Sequence, residues 1–155
     1  PLQIELLQKY TQHPLIINQL QLSIVHSVMI DSGMNMNMKE SWAQDKDGGV
    51  LDYCRLHDIT IQPWSVVQAS WAEGCFIDHP NYEKLNFVME KLADEYHVTK
   101  SAIAIAWLLR HPACMQPIMG TTSPAHLKEM VQACDIHLTR QQWYDLYLAS
   151  DKPLP

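Results

Sequence analysis

The residues best suited to chemistry lie where Gly120-Thr121-Thr122-Ser123 meets Pro124-Ala125-His126-Leu127-Lys128-Glu129-Met130. Ser123 is placed as a helix N-cap and Pro124 as the first helical residue, where a missing N–H removes nothing. Leu127, Met130, Val131 and Cys134 follow at helical spacing and are expected to form one apolar face. A helix start carries free N–H groups and the positive end of the macrodipole, and this one sits among three hydroxyls. That combination suits an anion, most simply a phosphate. Most capped helices bind nothing, so from this stretch alone a capped strand-to-helix connection with no ligand is the first reading and the anion seat the second. Asn18 and Gln19 form a second polar feature, inside the apolar run from Pro14 to Leu22. Buried amides need partners, so they either face a ligand at a strand end or close a core network.

Other clusters of reactive side chains do not build a site. Met34, Met36 and Met38 alternate as soft-metal ligands can, but no cysteine is near and packing beneath a loop is the expected role. Asp45-Lys46-Asp47-Gly48 matches the opening of a calcium loop, yet lacks its spacing and closing Glu, and reads as a turn. The four cysteines contain no C-x-x-C pair and the eight histidines no H-x-x-x-H, so no zinc site is expected. The thiols are expected reduced and buried, as in a cytoplasmic protein. Eleven basic and 17 acidic residues give a net charge of −6, which argues against nucleic acid or an anionic membrane as partner. No apolar run approaches the ~20 residues of a membrane span, and the opening does not resemble a signal peptide.

The elements that must position these residues are legible in order. Helices are predicted over 1–10, 50–57, 81–96, 100–110 and 140–150, and from Pro124 onward. Residues 26–49 and 66–80 read as irregular, the latter carrying Trp71, Gly74, Cys75 and Pro80. The 100–110 helix is apolar on most sides and should be packed from several directions. Thr139 and Gln142 are placed for a capping box, with Leu138 and Trp143 as its staple. Strands are expected at about 15–20, 59–64 and 115–119, with Pro63 marking a strand end. Helices between consecutive strands imply crossovers and a parallel sheet, with Gln19, Trp64 and Thr121 near the carboxyl ends. Three strands leave two open edges, and 155 residues fall short of the ~250 of a closed (β/α)8 barrel. The expected fold is therefore α/β, the later part of a (β/α)8 barrel and incomplete on its own. The first residues, Pro1-Leu2-Gln3-Ile4, look like a helix whose cap lies upstream.

Taken together these motifs carry a resemblance. The strand with Asn18-Gln19, the strand ending Pro63-Trp64-Ser65, and Pro117-Ile118-Met119-Gly120-Thr121 followed by Ser123-Pro124-Ala125-His126 resemble the aldo-keto reductases in order and spacing. Residues 48–55 and 104–112 look closest to a bacterial branch of oxidoreductases in that family. The likeness runs over residues 1–155, from the helix after barrel strand five to the tail.

The resemblance implies an NADP(H)-dependent reductase of aldehydes or ketones. It implies that Gln19 bonds the nicotinamide carboxamide and that Trp64 stacks on the nicotinamide ring. Ser65, Val66 and Val67 then line the pyrophosphate, and Gly120, Thr121, Thr122, Ser123, His126, Glu129 and Met130 form the adenosine 2′-phosphate site. Gly120 stands where the family often has Lys, His126 where it often has Arg, and Met130 where Asn is typical. Trp71 is a candidate for the substrate wall. The family's catalytic Asp, Tyr, Lys and His come from strands before this stretch, so no catalytic residue is assigned and the chain alone is expected to be inactive. Its implied partners are a small carbonyl substrate and either the N-terminal half of the barrel or another copy of this chain. The alternative is a non-catalytic barrel that senses a nucleotide or docks a partner.

Overall fold

The computed structural model describes residues 1–154; Pro155, the last residue of the tail, lies outside them. β1 (Ile17–Gln21) and β2 (Thr60–Trp64) pair in parallel, with Ile17 opposite Thr60 and Gln21 opposite Trp64. The crossover between them contains α2 (Val28–Met34) and α3 (Val50–Leu56). Gln116 N–H donates to the Ile61 carbonyl at 3.0 Å and Ile118 N–H to the Pro63 carbonyl at 2.8 Å, so residues 115–119 run parallel to β2 as its next neighbour.

That third strand is an incomplete ladder, and Pro63 is the reason. A strand residue points its N–H and C=O to the same side. Thr60 and Trp64 bond toward β1, through Ile16 and Leu22, so Ile61 and Pro63 face the 115–119 segment. Pro63 accepts there but has no N–H to return. It does not mark the strand end, as expected from sequence; it sits inside β2, opposite Leu20, with its missing donor turned to the weakly paired side.

Helices cover one face of this sheet. α4 (Glu83–Tyr96) follows a 3-10 turn, and α5 (Lys100–Leu109) starts at Thr99, whose Oγ1 accepts the Ala102 N–H at 3.3 Å. Every residue from Ala102 to Leu108 is buried, which matches the all-round apolar pattern. α6 (Pro124–Val131) and a short 3-10 turn lead to α7 (Arg140–Ala149), and the capping box of Thr139 and Gln142 is present. Trp107 of α5 stacks on Trp143 of α7 at 4.8 Å, and each indole N–H donates to the other's backbone carbonyl.

Four sequence expectations need correction. The 26–49 stretch contains α2, hidden because Gly33 and Ser32 dilute its pattern and Ser27 makes no side-chain cap bond. Residues 66–80 contain an antiparallel pair, β3 (Gln68–Ser70) and β4 (Gly74–Cys75), too short for a periodic signal. On α6 only Met130 is buried; Leu127 and Val131 are 45% and 52% exposed and Cys134 is exposed, because α6 packs chiefly on α5. Cys54 is buried as expected, whereas Cys75 and Cys114 are also exposed; all four thiols are free. No helix among the described residues is long and apolar enough to cross a membrane.

Candidate active site

An open cleft of about 410 Å³ lies between the end of β2 and the start of α6. Its lining is Trp64, Ser65, Val66, Val67, Gln68, Gly74, Cys75, Ile118, Gly120, Thr121, His126 and Met130. One wall begins where β2 stops: Ser65 takes a left-handed backbone, φ 56°, and Gln68 N–H closes the turn on the Ser65 carbonyl at 3.0 Å. A non-glycine residue held there is strained, and such strain is typical of binding turns. Ser65 Oγ is 2.7 Å from Gln68 Oε1 and donates to it. Phe76 N–H reaches the Val67 carbonyl at 3.1 Å and ties the β3–β4 hairpin to this wall, with Gly74 turning at φ 77°.

The opposite wall is the approach to α6. Thr121 Oγ1 accepts the Ser123 N–H at 3.1 Å, and Ser123 Oγ accepts the His126 N–H at 3.4 Å. Both hydroxyls bond the backbone as acceptors and so retain their own protons for an anion. Among the described residues no carboxylate lines the cleft. Hydroxyls, a helix N-terminus and an imidazole thus stand together here, donors of the kind an anion needs, without a fixed cation.

Eight of the 12 sequence candidates meet in this cleft: Trp64, Ser65, Val66, Val67, Gly120, Thr121, His126 and Met130. Thr122 and Ser123 lie in the same connection beyond its lining, and Glu129 is half-buried on α6 and also outside it. Gln19 sits mid-strand in β1, not at its end, and its Nε2 donates to Gln62 Oε1 at 2.9 Å. Asn18, on the other face, donates to Cys54 Sγ at 3.7 Å. Trp71 stands at the hairpin tip, 85% exposed and away from the lining. Sequence reasoning missed Gln68, Gly74, Cys75 and Ile118; the one usable signal was Gly74, a turn residue in a stretch read as unstructured.

One cluster outside the cleft holds an acid, a phenol, a lysine and an imidazole. Tyr147 Oη donates to Asp31 Oδ1 at 2.9 Å, Lys152 stands 5.4 Å from the Tyr147 ring centre, and His26 is close by. Burial first, and then the Asp31 charge, push the phenol well above its usual range. Burial also brings Lys152 down to about 8, while its ammonium bonds the Ile24 carbonyl. A phenol whose neighbour is a carboxylate holds its proton more tightly, the reverse of an activated proton donor.

The family model of the aldo/keto reductase family matches residues 3–148. The chain belongs to the aldo/keto reductases. Over 147 residues it is 26% identical to a 6-dehydroglucose reductase of Agrobacterium fabrum, covering 95% of this chain and 42% of the relative. Over 153 residues it is 25% identical to the oxidoreductase YdhF of Escherichia coli, covering 97% and 44%. The chain thus spans less than half the length of these relatives. Among solved structures it resembles the aldose reductase of Giardia lamblia (TM-score 0.63, 15% identity, 98% of this chain and 43% of that one). It also resembles a mutant of Gox0644 in complex with NADPH (TM-score 0.62, 14% identity, 98% and 45%). These likenesses establish the fold as part of a (β/α)8 barrel.

Proposed function

We propose that this chain is the cofactor-holding C-terminal half of an NADP(H)-dependent aldo/keto reductase that reduces an aldehyde or ketone. The observation that carries the reading is the cleft, which joins Trp64–Val67 to Gly120, Thr121 and His126 across the ends of two neighbouring strand segments. Trp64 would stack on the nicotinamide and leave its other face open to substrate. Ser65 to Val67 would line the pyrophosphate, and Thr121, Thr122, Ser123 and the α6 N-terminus would hold the 2′-phosphate. When bound, NADPH supplies the hydride. Gly120 adds no cation, and a Cβ built there meets nothing within 4 Å, so the phosphate seat would rest on hydroxyls, the helix dipole and the His126 imidazole, without Lys or Arg. That weakens discrimination between NADPH and NADH relative to a seat lined by Lys or Arg.

The resemblance assigns the family's proton donor and its activators to strands before this stretch, so residues 1–155 by themselves are expected to be inactive and to need the first half of the barrel. Mixing with such a half should restore a closed barrel and turnover, read as NADPH absorbance loss over a panel of aldehydes. Dinucleotide titration by Trp fluorescence tests the cofactor assignment. Trp64→Ala should cost about 1–2 kcal/mol of affinity through lost stacking. If Thr121, Thr122 and His126 can all be replaced without changing NADPH affinity, the phosphate assignment is wrong. Clear turnover by the chain alone would overturn the division of labour.

A further inference from the structure

We propose that Gln62 and Gln116 are positioning residues that fix the amide of Gln19 for the nicotinamide carboxamide, through an ordered relay across three strands. The inference rests on the reading of Gln19 given above. Gln19 lies directly opposite Gln62 in the β1–β2 register. Gln116 N–H bonds the Ile61 carbonyl, which in a parallel pairing sets Gln116 opposite Gln62 in turn. The three amides therefore share one layer on the sheet face opposite Asn18 and the buried Ile61.

Their bonds run in one sense. Gln19 Nε2 donates to Gln62 Oε1 at 2.9 Å, and Gln62 Nε2 donates to Gln116 Oε1 at 2.8 Å. A glutamine amide is symmetric in shape and has two orientations, which interchange donor and acceptor. Here each link selects the orientation of the next, and aligned amide dipoles strengthen one another. The consequence falls on Gln19. Its N–H is committed to β2, which leaves Oε1 as the free acceptor at the open end of the row. A carboxamide –NH2 needs such an acceptor. Reversing Gln19 would place two carbonyl oxygens against each other unless Gln62 and Gln116 reversed as well.

The test is titration of the 155-residue chain, alone and assembled with an upstream half, with NADPH and with adenosine 2′,5′-bisphosphate, which lacks the nicotinamide. Gln62→Leu should weaken NADPH about fivefold, the scale of one lost hydrogen bond, and leave the bisphosphate unchanged. Gln62→Glu keeps an acceptor for Gln19 and lets Gln116 reverse to donate, so it should restore most of the loss. Gln116→Leu should show a smaller NADPH effect of the same selectivity. Equal weakening of both ligands by Gln62→Leu would mean a merely structural role and overturn the relay. So would unchanged NADPH affinity in Gln62→Leu when Gln19→Leu weakens it. If Gln19→Leu itself leaves NADPH unaffected, the Gln19 assignment falls and takes the relay with it.

Discussion

α1 (Leu2–Gln8), with four apolar residues in seven, and α5, with eight in ten, have opposite fates. Seven residues of α5 are buried, and its Trp107 is locked against Trp143 by stacking and two indole bonds. α1 buries none of its residues; Leu2 is 84% exposed and nearby Tyr10 81%. It is held by polar contacts, Tyr53 Oη to Glu5 Oε1 at 2.5 Å and Gln8 amide bonds to Leu15 N and the His13 carbonyl. An apolar stripe stabilises a helix only where a neighbour covers it. The helix layer supplies that neighbour to α5, whereas on α1 only Ile4 packs against the core and Leu2, Leu6 and Leu7 stay exposed.

The sharpest way to test this contrast is to damage each side. Trp107→Ala removes a fully buried indole, leaves a cavity and strips the Trp143 carbonyl of its indole donor, which should cost about 3–5 kcal/mol and unfold much of the population. Urea melts followed by far-UV circular dichroism measure it. Leu6→Gln should leave the melt unchanged. If Leu6→Gln destabilised as much as Trp107→Ala, the contrast would be false.

The uncovered side should reveal itself in association. Leu2, Leu6, Leu7, Tyr10, Ile16 and Ile17 are all exposed, beside the edge of β1. The chain alone is expected to self-associate, and Leu6→Glu with Ile16→Glu should shift it toward monomer in sedimentation velocity. A chain that is already monomeric at high concentration before mutation would show that this face needs no cover.

A smaller effect comes from the covered side. Burial pushes His111 down to about 4, the Arg55 charge adds to the fall, and Asp52 opposes it. An unfolded imidazole titrates near 6.5, so between about pH 6.5 and 4 the unfolded chain binds a proton that the folded chain refuses. Stability should therefore fall as pH drops through that window and level off below it. His111→Gln should flatten this part of the urea-midpoint profile, whereas an unchanged slope would show that His111 does not carry it.

The smallest effect is local to the cleft. Ser123→Ala removes the acceptor for the His126 N–H and should cost about 1 kcal/mol, with a further loss of NADPH affinity if phosphate sits there. Thermal melts with and without adenosine 2′,5′-bisphosphate separate the two contributions. A variant that loses cap stability yet keeps full ligand protection would restrict Ser123 to capping.

The helices were legible where caps and periodicity agreed. Thr99, Ser123 and Thr139 each cap the helix that their type and spacing indicate. α2 escaped because its start has no side-chain cap bond, and the β3–β4 hairpin because two or three residues carry no period. Half-legible was the candidate site. Motif order gave Trp64–Val67 and Gly120–Met130, while Gln68, Gly74 and Cys75 entered the lining only through the folding-back of a hairpin.

By itself the sequence determined the capped, periodic helices, the order of the three parallel strand segments, and that the parts belong to an aldo/keto reductase barrel. Those properties depend on neighbours within a few residues, or on a family pattern spread along the chain. Tertiary structure alone decided the rest. It turned the missing N–H of Pro63 toward the 115–119 segment instead of β1, and it left Leu127 and Val131 uncovered while burying Met130. It also brought Gln19, Gln62 and Gln116, 43 and 54 residues apart along the chain, into one hydrogen-bonded row. Strand register and helix packing set those contacts, and neither is encoded in the spacing of any single segment.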